Sequence, residues 1–289
     1  MNIIAELLSP ITAPIRFIQS NFKTVLFLSL IAYFYFNSDA RVLEKPNLAI
    51  ISLDGTIINS DDVVQKINQA KEDNSIKGVL FKVNSPGGSV APSVEISYAI
   101  KELKSIKPVI VYASGTMASG SYYASIWADK IVANPGSMIG SIGVIMQSFD
   151  ASKLLNKIGV KPQVVKMGIY KEAGTPMRVW SDAEKNELKK VIKSTYDMFV
   201  QDVSTARKLK LANKDNFANA HIFTSSQAKE VGLIDEVATI SKAKKDLVVL
   251  SDVKKPIWQK EDKIDKFMQK IVEGTILHIS NNLNGLLAY

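Results

Sequence analysis

The sequence predicts an α/β protein built from parallel β-α-β units. Short apolar runs rich in valine and isoleucine alternate with longer segments whose apolar residues recur at helical spacing. Glycine-containing turns separate several of these runs from the segments that follow. Strands that alternate with helices in this way form a parallel sheet with right-handed crossovers.

The predicted elements begin at about residue 46. Apolar runs predict strands at residues 47–53, 78–83, 108–113, 130–133, 142–146, 160–165 and 233–237. Helical spacing of apolar side chains predicts helices over about residues 61–70, 94–103, 119–127, 154–158, 181–210 and 225–231. The long helix starts with Ser181 and Glu184 at the spacing of a capping box, and residues 167–176 before it indicate a loop.

A separate segment precedes this domain. Residues 24–37 are almost entirely apolar and uncharged, which predicts a transmembrane signal anchor. Arg16 and Lys23 come before it, which favours a cytoplasmic segment over residues 1–23 and places the rest of the chain outside the cytoplasm. A cleaved signal peptide and a buried core segment are the alternatives. The remaining predicted divisions are a folded domain over residues 46–250 and an amphipathic tail over residues 251–289.

Composition narrows the classes of function. The chain carries 36 basic and 28 acidic residues, a net charge of +8, and its lysines are spread over amphipathic helices. This pattern fits a solvated basic surface or attraction to anionic lipid better than nucleic-acid binding. The absence of cysteine excludes a thiol nucleophile, a disulfide and a thiolate metal site. The two histidines, His221 and His278, form no metal-binding motif, so no metal or other cofactor is expected.

Glycine turns carry the candidate chemistry. They occur at Ser85-Pro86-Gly87-Gly88, Ser119-Gly120-Ser121 and Gly140-Ser141-Ile142-Gly143. The second turn places Ser119 at the predicted start of a helix, where free N–H groups and the positive end of the helix dipole suit a developing oxyanion. Ser119 is therefore the candidate nucleophile of a hydrolase. The N–H groups of Gly88 and Gly120 are candidate oxyanion donors, because glycine lets the main chain approach a ligand closely.

A serine nucleophile also needs a general base. No histidine lies between Ser119 and residue 220, and His221 falls in a predicted extended segment near the end of the domain. A lysine can serve when its surroundings keep it neutral. Lys171 differs from the other lysines because it lies in a glycine-bounded loop and not on a helix face. The residues alone leave both His221 and Lys171 as possible bases.

Taken together, the motifs resemble the signal peptide peptidase A family of bacterial serine-lysine peptidases. The resemblance runs from about residue 48 to residue 237. It is carried by Asn84-Ser85-Pro86-Gly87-Gly88, Met117-Ala118-Ser119-Gly120-Ser121-Tyr122-Tyr123, Gly140-Ser141-Ile142-Gly143-Val144, and Lys171 with Pro176. The family's usual Ser-Gly-Gly-Tyr-Tyr has serine at position 121 here, and His221 stands where the family has an arginine.

The resemblance implies a fold and a mechanism. The fold would be Clp/crotonase-like, with repeated ββα units, behind the N-terminal transmembrane helix. Ser119 would be the nucleophile, Lys171 the general base, Gly88 and Gly120 the oxyanion donors, and Ser141 a residue that orients the base. Substrates would be extended apolar peptides such as cleaved signal peptides left in the membrane. A single-pass protein of the cell inner membrane would assemble as a homo-oligomeric ring whose neighbouring subunits complete each site.

Other interpretations use the same turns. A CoA-ester enzyme of this fold would need neither a serine-lysine pair nor an anchor. A non-catalytic membrane scaffold would need none of the motif residues. A Clp-type Ser-His-Asp enzyme would need a histidine soon after Ser119, which the sequence lacks.

Overall fold

The computed structural model describes residues 20–37 and 45–259. The chain divides between Lys45 and Pro46 into two compact units. In the first unit, helix α1 spans Phe22–Asn37 and has 16 residues. Within residues 20–37 and 45–259, no helix is long and apolar enough to cross a membrane. The predicted transmembrane span at residues 24–37 therefore stays a prediction.

The second unit is an α/β domain, which confirms the predicted class. Its strands are β1 (Leu48–Asp54), β2 (Gly78–Ser85), β3 (Val109–Ala118), β4 (Lys130–Ala133), β5 (Met138–Gly140), β6 (Ile222–Thr224) and β7 (Glu236–Val237). The main path of the sheet runs β1-β2-β3-β4-β7, and every pairing along it is parallel. Strand β5 pairs in parallel with the far end of β3 and antiparallel with β6.

Helices connect and cover these strands. They are α2 (Asp61–Glu72), α3 (Val90–Lys104), α4 (Gly120–Ser125), α5 (Ser152–Lys157), α6 (Asp182–Arg207), α7 (Ser225–Glu230) and α8 (Ile240–Leu250), with a 3-10 turn at Leu211–Asn216. Helix α6 begins with the predicted capping box: the Ser181 side chain accepts from the Glu184 N–H, and the Glu184 carboxylate accepts from the Ser181 N–H.

Alternation along the strands divides the core between two faces of the sheet. Odd-numbered residues such as Val79, Phe81 and Val111 belong to the larger cluster, which includes residues of helices α2, α3, α4 and α6. Even-numbered residues such as Leu80 and Ile110 pack with α8 and Trp258. Because both faces are covered, the strands are almost continuously apolar, as parallel sheets require.

Two predicted strands are wrong. Residues 142–146 and 160–165 have no regular structure. In the first, Gly140 and Ser141 take positive φ values of 108° and 49°, so the chain leaves the sheet before the apolar run starts. In the second, Val165 is fully exposed, so the run has no sheet to join within the described residues.

The C-terminal side of the domain contains features that the sequence did not predict. Helix α8 was not expected, although Ala243 and Leu247 are fully buried against the sheet. Beyond it, the chain returns to β1: the Asn47 N–H donates to the Ile257 carbonyl at 2.8 Å, and the Gln259 N–H donates to the Leu48 carbonyl at 2.7 Å. Most of the predicted tail, residues 260–289, lies outside the described residues.

Candidate active site

Ser119 lies at the junction of β3 and α4, at the carboxyl end of the sheet. Its φ of 54° and ψ of −125° are unusual for a residue with a side chain. Such a conformation costs on the order of 1–3 kcal/mol and is found where the surrounding structure holds it, often at functional sites. The Ser119 N–H donates to the Gly140 carbonyl at 2.8 Å. The Ser119 hydroxyl has no hydrogen-bond partner among residues 20–37 and 45–259, so it is available to a ligand.

The Gly87-Gly88 turn approaches this junction very closely. Gly87 has a φ of 92°, and a Cβ placed on it would lie 2.6 Å from the Gly120 nitrogen. A Cβ on Gly88 would overlap the Ile57 backbone. Only glycine at both positions permits this contact without a shift of backbone.

Two backbone N–H groups without a partner in the described residues lie near each other as a result. Gly88 forms a parallel bridge with Ile57 in which the bonds run from Ile57 N to Gly87 O and from Ser89 N to Ile57 O. The Gly88 N–H is left without an acceptor in the described part of the chain, as is the Gly120 N–H at the first position of α4. Both glycines line a pocket with Ser119. The arrangement suits stabilisation of an oxyanion beside the serine.

The Ser121 side chain fixes the same junction from inside. It is fully buried, and its hydroxyl lies 2.6 Å from the Ser85 carbonyl and accepts from the Ala118 N–H at 2.9 Å. Position 121 therefore joins the end of β2 to the end of β3. The hydroxyl faces the protein interior, and Ser121 does not line the pocket among the described residues.

The Gly140-Ser141 turn contacts the β3–α4 junction from the side opposite the Gly87-Gly88 turn. Gly140 accepts from Ser119, and the Ser141 N–H donates to the His221 carbonyl at 2.7 Å. Ser141 is half-buried, whereas His221 is exposed and leads into β6. His221 contributes to this turn through its backbone carbonyl and not through its imidazole ring.

The pocket beside Ser119 has a volume of about 90 Å³. Its walls come from α3, α4, α6 and the turn after β5, and they are mostly apolar. The lining residues are Gly88, Val90, Ser93, Val94, Ser119, Gly120, Tyr123, Gly143, Val144, Ile145, Thr195, Met198 and Phe199. No charged side chain is among them, so the described part of the chain offers the serine no carboxylate, lysine or histidine in this pocket.

Helix α6 contacts helix α4, which begins just after Ser119, at this pocket. The Tyr123 hydroxyl donates to the Asp202 carboxylate, and the Tyr123 ring packs edge-on against Phe199 with centroids 4.9 Å apart. Burial, and then the hydrogen bond to Asp202, raise the pKa of Tyr123 above its usual range. Tyr123 therefore stays neutral and serves as a wall of the pocket.

Lys171 lies in a turn over residues 169–174 and is exposed. The backbone N–H of Lys171 donates to the Gly168 carbonyl at 3.2 Å. Neither Lys171 nor His221 lines the pocket that contains Ser119, as far as the described residues go. The structure thus brings Ser119, Gly88, Gly120 and the Ser141 turn together, and residues 20–37 and 45–259 of the same chain bring no base to them.

The Lys171 turn precedes an ion pair that the sequence analysis missed. Arg178 binds Glu184 through two hydrogen bonds, of 2.9 Å from Nη1 and 2.7 Å from Nη2. Glu184 is only 3% exposed. The bonds from Arg178, then the N–H of Ser181, lower the pKa of Glu184 from 4.5 to about 2. An arginine six residues before a buried glutamate is no recognisable motif, so the sequence alone gave no signal for this pair.

The fold and site define an α/β protein with a serine at a strained strand–helix junction beside paired N–H donors. The model of peptidase family S49 matches residues 101–254, more than half of the chain. The chain belongs to this family.

Relatives agree with this assignment. A putative protease of Methanocaldococcus jannaschii is 40% identical over 193 residues, covering 67% of this chain and 62% of the relative. A putative signal peptide peptidase SppA of Enterococcus faecium is 31% identical over 230 residues, covering 78% and 61%. A putative protease of Synechocystis is 33% identical and covers 68% and 71%. The chain thus spans about three fifths of the length of the first two relatives.

Among solved structures, a ClpP1 mutant from Listeria monocytogenes is similar with a TM-score of 0.48 and 16% identity, over 67% of this chain and 93% of the other. The predicted Clp/crotonase-like arrangement of ββα units stays a prediction.

We predict that Ser121→Ala lowers the free energy of unfolding by about 1–3 kcal/mol, because the Ser85 carbonyl and the Ala118 N–H lose a buried partner. Urea denaturation measures the change. Ser125→Ala is the matched control: Ser125 is also fully buried in α4, but its hydroxyl bonds only to the Ser121 carbonyl, within the same helix. Equal losses in the two variants would contradict the bridging role of Ser121.

We predict that Glu184→Gln loses stability only where the native carboxylate is charged. Its native pKa lies below the ordinary value, so its contribution is complete above about pH 4.5 and disappears as the pH falls toward 2. The difference in Tm between wild type and Glu184→Gln should therefore be largest at neutral pH and shrink between pH 4.5 and 2. Glutamine keeps the capping box, so the charge is the tested feature.

The control for this measurement is Glu187→Gln, since Glu187 forms an exposed pair with Lys190 on the same helix. That variant should differ little from wild type at any pH. A Tm gap for Glu184→Gln that stays constant down to pH 2 would show that the Arg178 pair does not hold this carboxylate ionised.

Proposed function

We propose that the chain is a serine endopeptidase with a Ser119–Lys171 dyad. One observation carries the proposal: the unpartnered Ser119 hydroxyl stands in an apolar pocket with two unpartnered N–H groups, from Gly88 and Gly120. This is the arrangement that acyl transfer needs, since the serine supplies the nucleophile and the N–H groups stabilise the oxyanion. Membership of peptidase family S49 supports a peptide bond as the target.

The proposed reaction begins with proton transfer. Neutral Lys171 takes the proton from the Ser119 hydroxyl as Oγ attacks the peptide carbonyl. The tetrahedral oxyanion accepts from the Gly88 and Gly120 N–H groups, each worth roughly 3 kcal/mol in comparable sites. The protonated lysine gives its proton to the departing amine, and water, activated by the same lysine, then releases the acyl group from Ser119. No cofactor takes part.

We place the base on a second copy of the chain. Lys171 is exposed and does not line the pocket of its own chain among the described residues. Among residues 20–37 and 45–259, the pocket wall carries no charged group that could replace it. A neighbour that presents its Lys171 turn to Ser119 would complete the site. We assign Ser141, on the turn beside Ser119, the role of orienting that lysine.

Exposed apolar side chains support assembly around this region. Five large ones, all between residues 145 and 169, are at least 71% exposed in the single chain: Ile145, Phe149, Val165, Met167 and Ile169. Soluble monomeric proteins rarely expose so many large apolar side chains in one segment, and such exposed patches mark interfaces. A homo-oligomeric ring would bury them while bringing the Lys171 turn to the neighbouring pocket.

The pocket also bears on the substrate. Its walls of valine, isoleucine, methionine and phenylalanine favour an apolar side chain next to the scissile bond. One relative has the name signal peptide peptidase. We therefore propose extended apolar peptides, remnants of signal peptides in particular, as substrates, and an N-terminal anchor that holds the domain outside the cytoplasm at the cell inner membrane.

We predict that Ser119→Ala lowers kcat/KM for a fluorogenic apolar peptide by at least about a thousandfold, because the nucleophile is lost. Lys171→Ala should cause a comparable loss, whereas His221→Ala should stay within a few-fold of wild type. Labelling with a fluorophosphonate reports separately on the reactivity of Ser119. Full activity of Ser119→Ala would show that Ser119 is not the nucleophile. Activity of Lys171→Ala together with loss of activity in His221→Ala would show that His221 is the base.

We also predict that the two inactive variants rescue each other. In mixed oligomers, a Lys171→Ala subunit supplies Ser119 and its Ser119→Ala neighbour supplies Lys171. Random assembly of equal amounts should restore about a quarter of the wild-type sites, since each active site needs one particular neighbour. Co-expression with two affinity tags yields the mixed species for assay. A mixed oligomer without activity would show that the lysine acts within its own chain.

A further inference from the structure

A chain of ion pairs connects the Lys171 turn to helix α6. Arg178 stands at its centre: Nη2 contacts Glu184 Oε1 at 2.7 Å and Glu172 Oε2 at 2.9 Å, while Nη1 contacts Glu184 Oε2 at 2.9 Å. Lys166 Nζ also reaches Glu172 Oε2, at 2.8 Å. One guanidinium therefore holds two carboxylates that come from different parts of the fold.

The Glu184 end of this chain is firmly fixed. Its side chain is 4% exposed, and it accepts from the Ser181 N–H at 2.8 Å in the capping box of α6. The same helix carries Met198 and Phe199 in the pocket wall and Asp202 in the contact with Tyr123. A group bound to Glu184 is thus held at a fixed place on its own subunit.

The Glu172 end belongs to the turn that carries Lys171. This turn has little packing of its own: Gly168 and Gly174 bound it with positive φ values of 95° each, and nothing lies within 4 Å of where their Cβ atoms would be. Ile169 in the turn is 71% exposed. In addition to the ion pairs, the Trp180 Nε1–H donates to the Thr175 carbonyl at 2.7 Å. Polar contacts therefore fix the turn where apolar packing is missing.

We propose that Arg178 is a positioning residue for the catalytic base. It holds the Lys171 turn to the start of α6 through Glu172 and Glu184, so that the lysine is presented in one place. This inference rests on the proposed function, since it takes Lys171 as the base. Arginine suits the task because its planar fork binds one carboxylate in two places and still reaches a second, which a lysine ammonium cannot do in the same geometry.

A purely structural interpretation would make Arg178 a reinforcement of the helix cap. The two roles differ in what they change. Loss of a cap lowers stability, whereas misplacement of a base lowers kcat, since small displacements of a reacting group are costly and the pocket that binds substrate is left intact.

The test compares Arg178→Ala with wild type in the full-length, assembled protein. We expect kcat for a fluorogenic apolar peptide to fall by about tenfold to a hundredfold with KM changed less than about threefold. Arg178→Lys should fall between wild type and Arg178→Ala. Millimolar guanidinium chloride should restore part of kcat in Arg178→Ala, and an equal concentration of sodium chloride should not.

Three further variants keep the test decisive. Glu172→Ala breaks the link at the turn but leaves the Arg178–Glu184 pair and the helix cap in place, so it should lose kcat without a large drop in Tm. Lys193→Ala removes a cation from the exposed face of α6, where it pairs only with Asp197, and should match wild type. Lys166→Ala removes the second cation from Glu172 without cutting the link to α6, so its loss should be smaller than that of Arg178→Ala.

The outcomes separate this inference from the proposed function. If Lys171→Ala is inactive while Arg178→Ala and Glu172→Ala keep kcat within about twofold of wild type, the positioning role is wrong and the dyad stands. A kcat loss that follows the fraction of unfolded protein, without recovery in guanidinium, would also overturn the positioning role. If Lys171→Ala itself is active, the dyad is wrong and the positioning role is wrong with it.

Discussion

The approach of the Gly87-Gly88 turn to the start of α4 is the contact on which the rest of the site depends. Gly87 passes so close to Gly120 that a single added carbon would displace backbone, and Gly120 itself leaves no room for a Cβ beside Ser93. The Gly87-Gly88 turn and Gly120 can lie this close only because these residues carry no side chains. The buried Ser121 hydroxyl bonds to Ser85 at the end of β2 and to Ala118 at the end of β3, and so connects these two strand ends. The close approach of these two turns, which suits an oxyanion, is therefore built into the ends of strands β2 and β3.

Helix α6 extends this fixed geometry to the pocket and beyond it. Phe199 and the carboxylate of Asp202 contact Tyr123, which follows Ser119 by four positions. At its other end, Glu184 holds Arg178. A 26-residue helix thus contacts α4 near one end and is linked through Arg178 to the Lys171 turn at the other. The helix gives two parts of the proposed site a common rigid support, although they are not adjacent in one chain.

The sequence predicted the parts of the fold and site that local patterns determine. Buried parallel strands produce nearly continuous apolar runs, so residues 78–83 and 108–113 were recognised, as was the capping box of Ser181 and Glu184. The run over 142–146 has the same appearance, but Ser141 turns the chain out of the sheet and Ile145 faces the pocket, where it is 81% exposed. Composition alone cannot separate an apolar residue that packs in a sheet from one that lines a pocket or an interface.

The same limit applies to Lys171 and its neighbours. The sequence singled out Lys171 by its loop and by family resemblance, but it gave no sign that Arg178 joins Glu172 to Glu184, because ion pairs between loops depend on tertiary contacts. Ser119, Gly88 and Gly120 follow the buried ends of strands β2 and β3, whereas the lysine lies on an exposed turn amid exposed apolar side chains. If a second copy supplies the base, burial of those side chains and completion of the dyad happen in one step. An isolated subunit would then hold a preformed oxyanion site without the base that makes its serine reactive, and assembly itself would control the peptidase.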